Sequence, residues 1–276
     1  MKVISTFLIK RVRSSVFMCD TIRVAHVTLR FFIFLRSFAT LKLAIGQIEK
    51  EKGQRIVKEN GKRLLGIGSI LVVGFVIWTL LIQRVDVQPL GVNGTNIGFA
   101  TINCWFRQLT GVHMEIYTIT DWLGLVPIFI CMVFGGIGCV QLMKGKSLFK
   151  VDYDIILLGI YYVLVVFGYL IFEMIPINYR PILIEGFMEA SYPSSTTLLV
   201  LCVMPTLIEQ INRRSENEIV KKIVKVLVIC FAIFMVVGRL ISGVHWLTDI
   251  VGSIMLSFGL FCIYKASVLL CYKGKS

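Results

Sequence analysis

Long apolar segments recur along the chain and are separated by shorter segments that carry most of its charge. An apolar run of about 18 or more residues is long enough to cross a bilayer as a helix. Four such runs contain no charged residue, a fifth is interrupted by Arg239, and a sixth contains Lys265, whose long side chain can reach the membrane surface. The pattern therefore predicts an all-α membrane protein, a bundle of six transmembrane helices. The predicted spans are 64–83, 122–143, 155–172, 190–208, 226–244 and 249–270.

The composition excludes a soluble globular domain and a disordered chain. Of the 276 residues, 57% are hydrophobic and 16% are charged, whereas about 25% of a soluble domain is charged. The mean hydropathy is +0.82. These values are typical of a multi-pass membrane protein.

The formal net charge of +13 is concentrated at one end of the chain. Residues 1–63 contain 14 basic and 4 acidic residues, a net +10. Basic charge beside a membrane span attracts anionic lipid and sets topology, so the imbalance predicts a lipid bilayer as partner and no nucleic acid.

The charged loops also predict the orientation. Both termini and the loops at 144–150 and 213–225 are rich in Lys and Arg, whereas the alternate loops contain few cations. By the positive-inside rule both termini lie in the cytoplasm, and the cation-poor loops, which carry Arg180 and Arg239, face outside the cell membrane.

Three segments follow from this pattern: a basic N-terminal segment (1–63), a six-helix domain (64–271) and a basic cytoplasmic tail (272–276). In the first, residues 22–46 are apolar but interrupted by cations. They form either a basic helix in the cytoplasmic interface or an upstream extension that the bundle does not need.

The long outer loop, residues 88–120, contains turn signals followed by a helical pattern. Asn93-Gly94 is typical of a turn. Phe99, Ile102, Phe106 and Leu109 then recur at helical spacing and predict a short helix on the outer leaflet.

Polar residues cluster at three places on the predicted outer face, and such residues are functional candidates because they are costly near a membrane. A proline followed by small hydroxyl residues opens a helix, whose N-terminus binds anions. The two arginines carry planar forks that suit phosphate oxygens. A carboxylate four residues after a histidine shares its helix face and can orient the ring as a nucleophile. The clusters are Asn178-Tyr179-Arg180-Pro181, Tyr192-Pro193-Ser194-Ser195-Thr196-Thr197, and Gly238-Arg239 with His245 and Asp249.

These residues resemble the type 2 phosphatidic acid phosphatase superfamily, which includes the vanadium haloperoxidases. The family pattern is Lys, six residues, Arg-Pro, then Pro-Ser-Gly-His, then Ser-Arg, five residues, His, three residues, Asp. The chain supplies Arg180-Pro181, Pro193-Ser194 and Arg239 with His245 and Asp249 in that order and spacing. The resemblance covers about residues 64–271 and implies the six-helix fold and an outward-facing site.

The resemblance also implies a mechanism for each matching residue. His245 would attack phosphorus to form a phosphohistidine, and Asp249 would orient its ring. The phosphate-binding groups would be Arg180, Arg239, Ser194 and nearby backbone N–H groups, including that of Ser195. No metal and no organic cofactor is implied.

The chain departs from the family pattern at four positions. Glu173 stands at the place of the lysine, Ser195 at that of the glycine, Thr196 at that of the second-motif histidine, and Gly238 at that of the serine. The family histidine protonates the leaving alkoxide, which a threonine hydroxyl cannot usefully do, and general acid catalysis is typically worth about 10²–10⁴-fold. Glu173 is interpreted as a counter-ion for an arginine, a solvated interface residue or a catalytic acid. Thr196 is interpreted mainly as a packing residue.

Three explanations of the missing acid stay open: a good leaving group such as a pyrophosphate, a different acid (Glu185, Glu189 or His113), or a site that only binds. The sequence therefore predicts a lipid phosphatase-like protein acting on a lipid phosphate or polyprenyl pyrophosphate at the outer membrane face. The alternative is a catalytically impaired relative that binds anionic lipid phosphate without turnover. A transporter lacks support, because no charged residue lies in the middle of a span.

Overall fold

The structure is a computed structural model that describes residues 52–271. Contacts divide the chain into two units, Met1–Val57 and Lys58–Ser276. Of the first unit only residues 52–57, which are helical, are described. The interfacial helix expected within residues 22–46 and the tail 272–276 lie outside the described residues.

The described residues form eight α-helices, and six helical segments are long and apolar enough to cross a membrane. One of these segments, Met114–Gly145, consists of α3 and α4 in succession. The prediction of six spans is confirmed, and the protein is a multi-pass all-α membrane protein. The helices are α1 Lys52–Ile82, α2 Ala100–Thr110, α3 Met114–Leu123, α4 Leu125–Gly145, α5 Tyr153–Met174, α6 Ser195–Arg214, α7 Glu218–Ile241 and α8 Leu247–Leu270.

Several helix boundaries differ from those of the apolar runs, and two of these differences have a clear physical cause. The described part of α1 reaches back to Lys52, twelve residues before its apolar run, because helical hydrogen bonds need no apolar side chains and residues 52–63 are rich in helix formers. α6 begins at Ser195 and not at residue 190, because Pro193 disfavours helical backbone in the residue before it.

α6 is the central helix of the bundle. Half of its apolar window is buried, the largest share of the six spans, and it packs mainly on α7 and α8. Around it, Tyr161 of α5 stacks on Tyr264 of α8 with ring centroids 4.8 Å apart. The other spans expose much more of their apolar surface, as expected of helices that face lipid.

The loop between α1 and α3 folds as the sequence predicts. Asn93 and Gly94 form a turn with φ of 56° and 75°, and the predicted short helix is α2. α2 exposes Ile102 and Leu109 and buries Asn103, whose side chain hydrogen-bonds Thr248 at the start of α8. This loop therefore attaches to the end of the bundle where α8 begins.

Candidate active site

The three motif regions come together at one end of the bundle, where α6 and α8 begin and α7 ends. The side chains of Arg180, Arg239, His245 and Asp249 are all buried. Ser194, directly before α6, lies beside them, with its backbone nitrogen 3.4 Å from the carbonyl oxygen of Asp249. The structure therefore brings together residues that the sequence selected from three distant segments.

His245 lies in the turn between α7 and α8, before Trp246, the N-cap of α8. Gly243 makes this turn possible: its φ is +69°, and a β-carbon there would lie 2.1 Å from the carbonyl oxygen of Gly111. The prediction that His245 and Asp249 share a face of one helix is therefore wrong, because the histidine precedes the helix.

The two ring nitrogens of His245 have different surroundings. Nδ1 lies 3.1 Å from the carbonyl oxygen of Ser191 and 3.2 Å from the hydroxyl oxygen of the same residue. A carbonyl oxygen can only accept, so Nδ1 carries the proton. Nε2 is buried and has no hydrogen-bond partner among the described residues. The neutral ring therefore has a lone pair free on Nε2.

Burial lowers the pKa of His245 well below its usual value, and the positive charges of Arg180 and Arg239 lower it further. The ring is therefore neutral at neutral pH. A neutral imidazole is the form that can act as a nucleophile.

Asp249 stands in the first turn of α8 and caps that helix. Its Oδ2 accepts the backbone N–H of Trp246 at 2.9 Å and the hydroxyl of Ser191 at 2.5 Å. The same Oδ2 lies 3.8 Å from Nδ1 of His245, which is too far for a hydrogen bond. The carboxylate expected to orient the ring directly is therefore separated from it by the Ser191 hydroxyl.

Arg180 is held from three sides and keeps one free donor group. Its Nη2 lies 3.1 Å from Oε2 of Glu189, its Nε donates to the carbonyl oxygen of Ala190 at 3.5 Å, and its guanidinium lies 5.6 Å from the ring centroid of Tyr117. Within residues 52–271, its buried Nη1 has no partner. That group is free to donate to an anion.

Arg239, at the end of α7, has a similar arrangement. Its Nη2 donates to Oγ1 of Thr196 at 2.6 Å and to Oδ1 of Asp121 at 3.1 Å, and its guanidinium lies 4.9 Å from the centroid of Tyr117. Its Nε and Nη1 are buried and make no hydrogen bond in the part of the chain that the structure describes.

The N-terminus of α6 is not capped by a side chain. Ser194 occupies the N-cap position, but its hydroxyl donates to Oγ1 of Thr197 at 3.1 Å and accepts no helix N–H group. Ser195 is the first residue of the helix. The first-turn N–H groups, at the positive end of the helix dipole, are therefore left for another acceptor.

The carboxylates that pair with the two arginines do not include Glu173, the counter-ion suggested by the sequence. Glu173 lines a small cleft with Pro193 and Ser195, but its carboxylate forms no ion pair within the described part of the chain. Glu189 pairs with Arg180, and Asp121, on α3, pairs with Arg239. Glu173 therefore makes no direct ion pair with either arginine among the described residues, and its role as a more distant counter-ion stays a prediction.

The three other residues proposed as a replacement acid differ in their contact with the site, and only Glu189 bonds to one of its arginines. Glu189 is at the site through Arg180. Glu185 lies at the tip of a tight turn with φ of 50°. The ring of His113 is exposed and bonded to the carbonyl oxygen of Thr110 at 2.9 Å.

Sequence reasoning missed three residues of the site: Ser191, Tyr117 and Asp121. A signal was present for each. Ser191 directly precedes the Tyr-Pro-Ser motif, and Tyr117 and Asp121 are four residues apart and share a face of α3. What was missing was the information that α3 packs against α7.

The arrangement is suited to an anion that contains phosphate. Unpaired donors on two permanently charged guanidinium groups and an uncapped helix end supply positive potential, and one imidazole supplies an unprotonated nitrogen. In residues 52–271 no group of three or more His, Cys, Asp or Glu side chains is placed to hold a metal ion.

Comparison with known proteins finds one family model and a solved structure of similar fold. The family model described as the PAP2 superfamily matches residues 156–271. The fold is similar to the crystal structure of a transmembrane PAP2-type phosphatidylglycerolphosphate phosphatase from Bacillus subtilis, with a TM-score of 0.54 and 16% sequence identity over 75% of this chain and 98% of that one. At this identity the likeness shows a shared fold. No curated protein matches the chain in sequence.

The matched segment contains Arg180, Arg239, His245 and Asp249, as well as the start of α6. Residues 156–271 of this membrane protein are therefore similar to the PAP2 superfamily in sequence, and its fold is shared with a PAP2-type membrane protein.

Proposed function

We propose that the protein is a membrane lipid phosphatase that hydrolyses a lipid phosphate or a polyprenyl pyrophosphate through a phosphohistidine intermediate. The observation that carries this proposal is the set of orphaned polar atoms at the site. Nε2 of His245, Nη1 of Arg180, and Nε and Nη1 of Arg239 are all buried without a partner in residues 52–271. Since unsatisfied buried polar groups are costly, such a set indicates a ligand that satisfies them.

The reaction has two steps. In the first, the Nε2 lone pair of His245 forms a bond to phosphorus while the bond from phosphorus to the leaving oxygen breaks. The guanidinium groups of Arg180 and Arg239, with the N–H groups at the start of α6, hold the remaining phosphoryl oxygens. In the second step, water attacks phosphorus, the P–N bond breaks, and phosphate and the free imidazole are regenerated.

Thr196 favours a diphosphate substrate. The residue at this position donates no proton of useful acidity, and its Oγ1 accepts a hydrogen bond from Arg239. An alkoxide leaving from a monoester needs a proton, whereas a phosphate leaving from a pyrophosphate needs little protonation. We therefore expect the diphosphate to be the better substrate.

A second candidate function is a relative that binds anionic lipid phosphate without turnover. The observation that favours it is that both arginines are already engaged by carboxylates, Arg180 by Glu189 and Arg239 by Asp121. A ligand would have to compete with these ion pairs. Because both carboxylates are on the exposed side of their pairs, however, they can exchange for water.

Phosphate release from the purified protein in detergent separates the two functions. We expect release from a polyprenyl pyrophosphate at least tenfold faster than from phosphatidate, and no release from a His245→Ala variant. No release by the correctly folded wild-type protein, with binding of both lipids retained, would favour the binding protein.

Thr196→His tests the argument about the leaving group. Because the new imidazole can protonate an alkoxide, we expect hydrolysis of phosphatidate to rise by about 10²-fold while hydrolysis of the pyrophosphate changes little. Thr197→Val, a change of the neighbouring buried threonine, serves as the control. An equal change with the two substrates would contradict the argument.

We further propose that both termini are cytoplasmic and that the site faces outside. This orientation is supported by the basic loop at 213–225, which follows the end of α6 remote from the site, and by the basic loop at 144–150 between α4 and α5. Phe187 and Phe149 are exposed and lie in loops at opposite ends of α5. After replacement of the eight native cysteines, an impermeant thiol reagent added to intact cells is expected to label a Phe187→Cys variant and not a Phe149→Cys variant. The reverse pattern would overturn this orientation.

A further inference from the structure

The contact between the site carboxylate and the site histidine is indirect. Oδ2 of Asp249 and Nδ1 of His245 are 3.8 Å apart, and the hydroxyl oxygen of Ser191 lies 2.5 Å from the first and 3.2 Å from the second. All three side chains are buried, with at most 5% of any residue exposed. The hydroxyl therefore occupies the space in which a direct hydrogen bond would otherwise form.

We propose that Ser191 is a positioning residue that links Asp249 to His245 and fixes the ring with Nε2 free. This inference rests on the proposed function, in which Nε2 is the nucleophile. It assigns a role to a residue outside the motif positions.

The direction of each hydrogen bond follows from the donors available. A carboxylate oxygen only accepts, so the single hydroxyl proton of Ser191 is donated to Oδ2 of Asp249. Towards Nδ1 of His245 the same hydroxyl can then only accept, and so can the Ser191 carbonyl oxygen at 3.1 Å. Both acceptors require a proton on Nδ1. One residue thus excludes the tautomer in which Nε2 is protonated.

The backbone of Ser191 is fixed on both sides. Its N–H donates to the carbonyl oxygen of Asn178 at 2.8 Å. The next side chain, Tyr192, is buried, stacks on Phe75 and hydrogen-bonds Thr79 through its hydroxyl at 2.7 Å. The Ser191 carbonyl and hydroxyl are therefore presented to the ring at a constant position.

A nuclear magnetic resonance experiment tests the link without requiring turnover. In ¹⁵N-histidine-labelled protein at pH 7, we expect a proton on Nδ1 of His245, assigned by its loss in His245→Ala. Asp249→Asn should shift the resonance of this proton. In a Ser191→Ala background the same substitution should shift it by less than half as much. Protonation at Nε2, or equal shifts in the two backgrounds, would overturn the proposal.

Kinetics supply a second readout. Because the ring loses one of its two fixed acceptors, we expect Ser191→Ala to slow phosphohistidine formation in a single turnover by about tenfold, with Ser191→Thr restoring most of the rate. The charged groups facing His245 are Arg180, Arg239 and Asp249. Because the link to the Asp249 carboxylate favours the protonated ring, its loss should move the acid limb of the pH–rate profile to lower pH. A merely structural defect would lower the rate without moving that limb.

The matched control is Ser257→Ala. Ser257 is a fully buried serine deeper in α8 whose hydroxyl donates to the backbone carbonyl oxygens of Ser253 and Leu198 and, within the described part of the chain, hydrogen-bonds no residue of the site. If Ser191→Ala behaves like this variant, the proposal for Ser191 fails. If instead the wild-type protein forms no phosphohistidine, the proposed function fails, and the resonance measurement still decides the role of Ser191.

Discussion

His245→Ala and His245→Asn are expected to lower phosphate release by about 10⁴-fold and to abolish the phosphohistidine. The physical reason is that Nε2 of His245 is the one unprotonated, unpartnered nitrogen that the described site offers to phosphorus. The asparagine variant is the sharper test. Its amide N–H can replace Nδ1–H towards the Ser191 carbonyl, so packing is retained while the nucleophile is removed.

The measurement is the amount of acid-labile, base-stable phosphate bound to the protein after a short reaction with labelled substrate. His113→Ala is the matched control, since His113 is an exposed histidine whose ring is hydrogen-bonded to the carbonyl oxygen of Thr110, the last residue of α2. We expect this variant to keep both the intermediate and the rate within about twofold of the wild type.

Two outcomes would contradict the mechanism. Phosphohistidine that persists in His245→Asn would mean that another histidine is the nucleophile. Phosphate release that persists without any phosphohistidine would mean direct attack by water, in which case His245 would act as a base.

The fold could be predicted closely from the sequence because membrane-spanning helices are specified by run length. An uncharged run of 18 or more residues has few alternatives in a bilayer, so all six spans were found. The helix boundaries were less certain, since α1 extends into charged residues and α6 begins only after Pro193. Where a helix continues beyond its apolar run into polar residues, the hydropathy of those residues does not show where the helix ends.

The members of the site could be predicted, but not how they contact each other. Arg180, Arg239 and His245 were selected because polar and ionisable residues near membrane segments are costly and because their spacing matches the family pattern. His245 and Asp249 do lie close together, with 3.8 Å between Nδ1 and Oδ2, but they do not share a helix face, because His245 precedes α8. Here the positive φ of Gly243 turns the chain before the helix begins.

The partners of the arginines could not have been found by spacing. Asp121 and Glu189 contact Arg239 and Arg180 only through packing of α3 and folding of the loop before α6. Glu173 was the candidate because it stands seven residues before Arg180 in the motif, but sequence separation does not give the distance between the two side chains. Ion pairs between distant segments depend on tertiary structure, which periodicity does not encode.

Arg239→Lys is expected to lower kcat/KM by about 10²-fold or more, although the charge is kept. The guanidinium reaches Thr196 and Asp121 through Nη2 while Nε and Nη1 remain free for phosphoryl oxygens. A lysine ammonium is a single point that cannot hold the neighbours and present two further donors in a plane. Loss of one preorganised donor to transition-state charge typically costs about 10²–10³-fold.

Arg107→Ala distinguishes the effect of the Arg239 guanidinium geometry from the effect of the general positive potential of the site. Arg107 is a half-buried cation of α2 whose guanidinium lies 5.8 Å from the ring centroid of Trp246, next to His245 in the chain. If the planar geometry of the Arg239 guanidinium matters most, Arg107→Ala should change kcat/KM by less than about threefold, although it removes a whole charge. Arg239→Lys, which removes no charge, should then be severely impaired. If potential matters, the order is reversed, because charges near the surface act over about 10 Å at ordinary ionic strength. Measurement of both variants at low and high salt decides between the two, since only a loss of general potential is reduced by added salt.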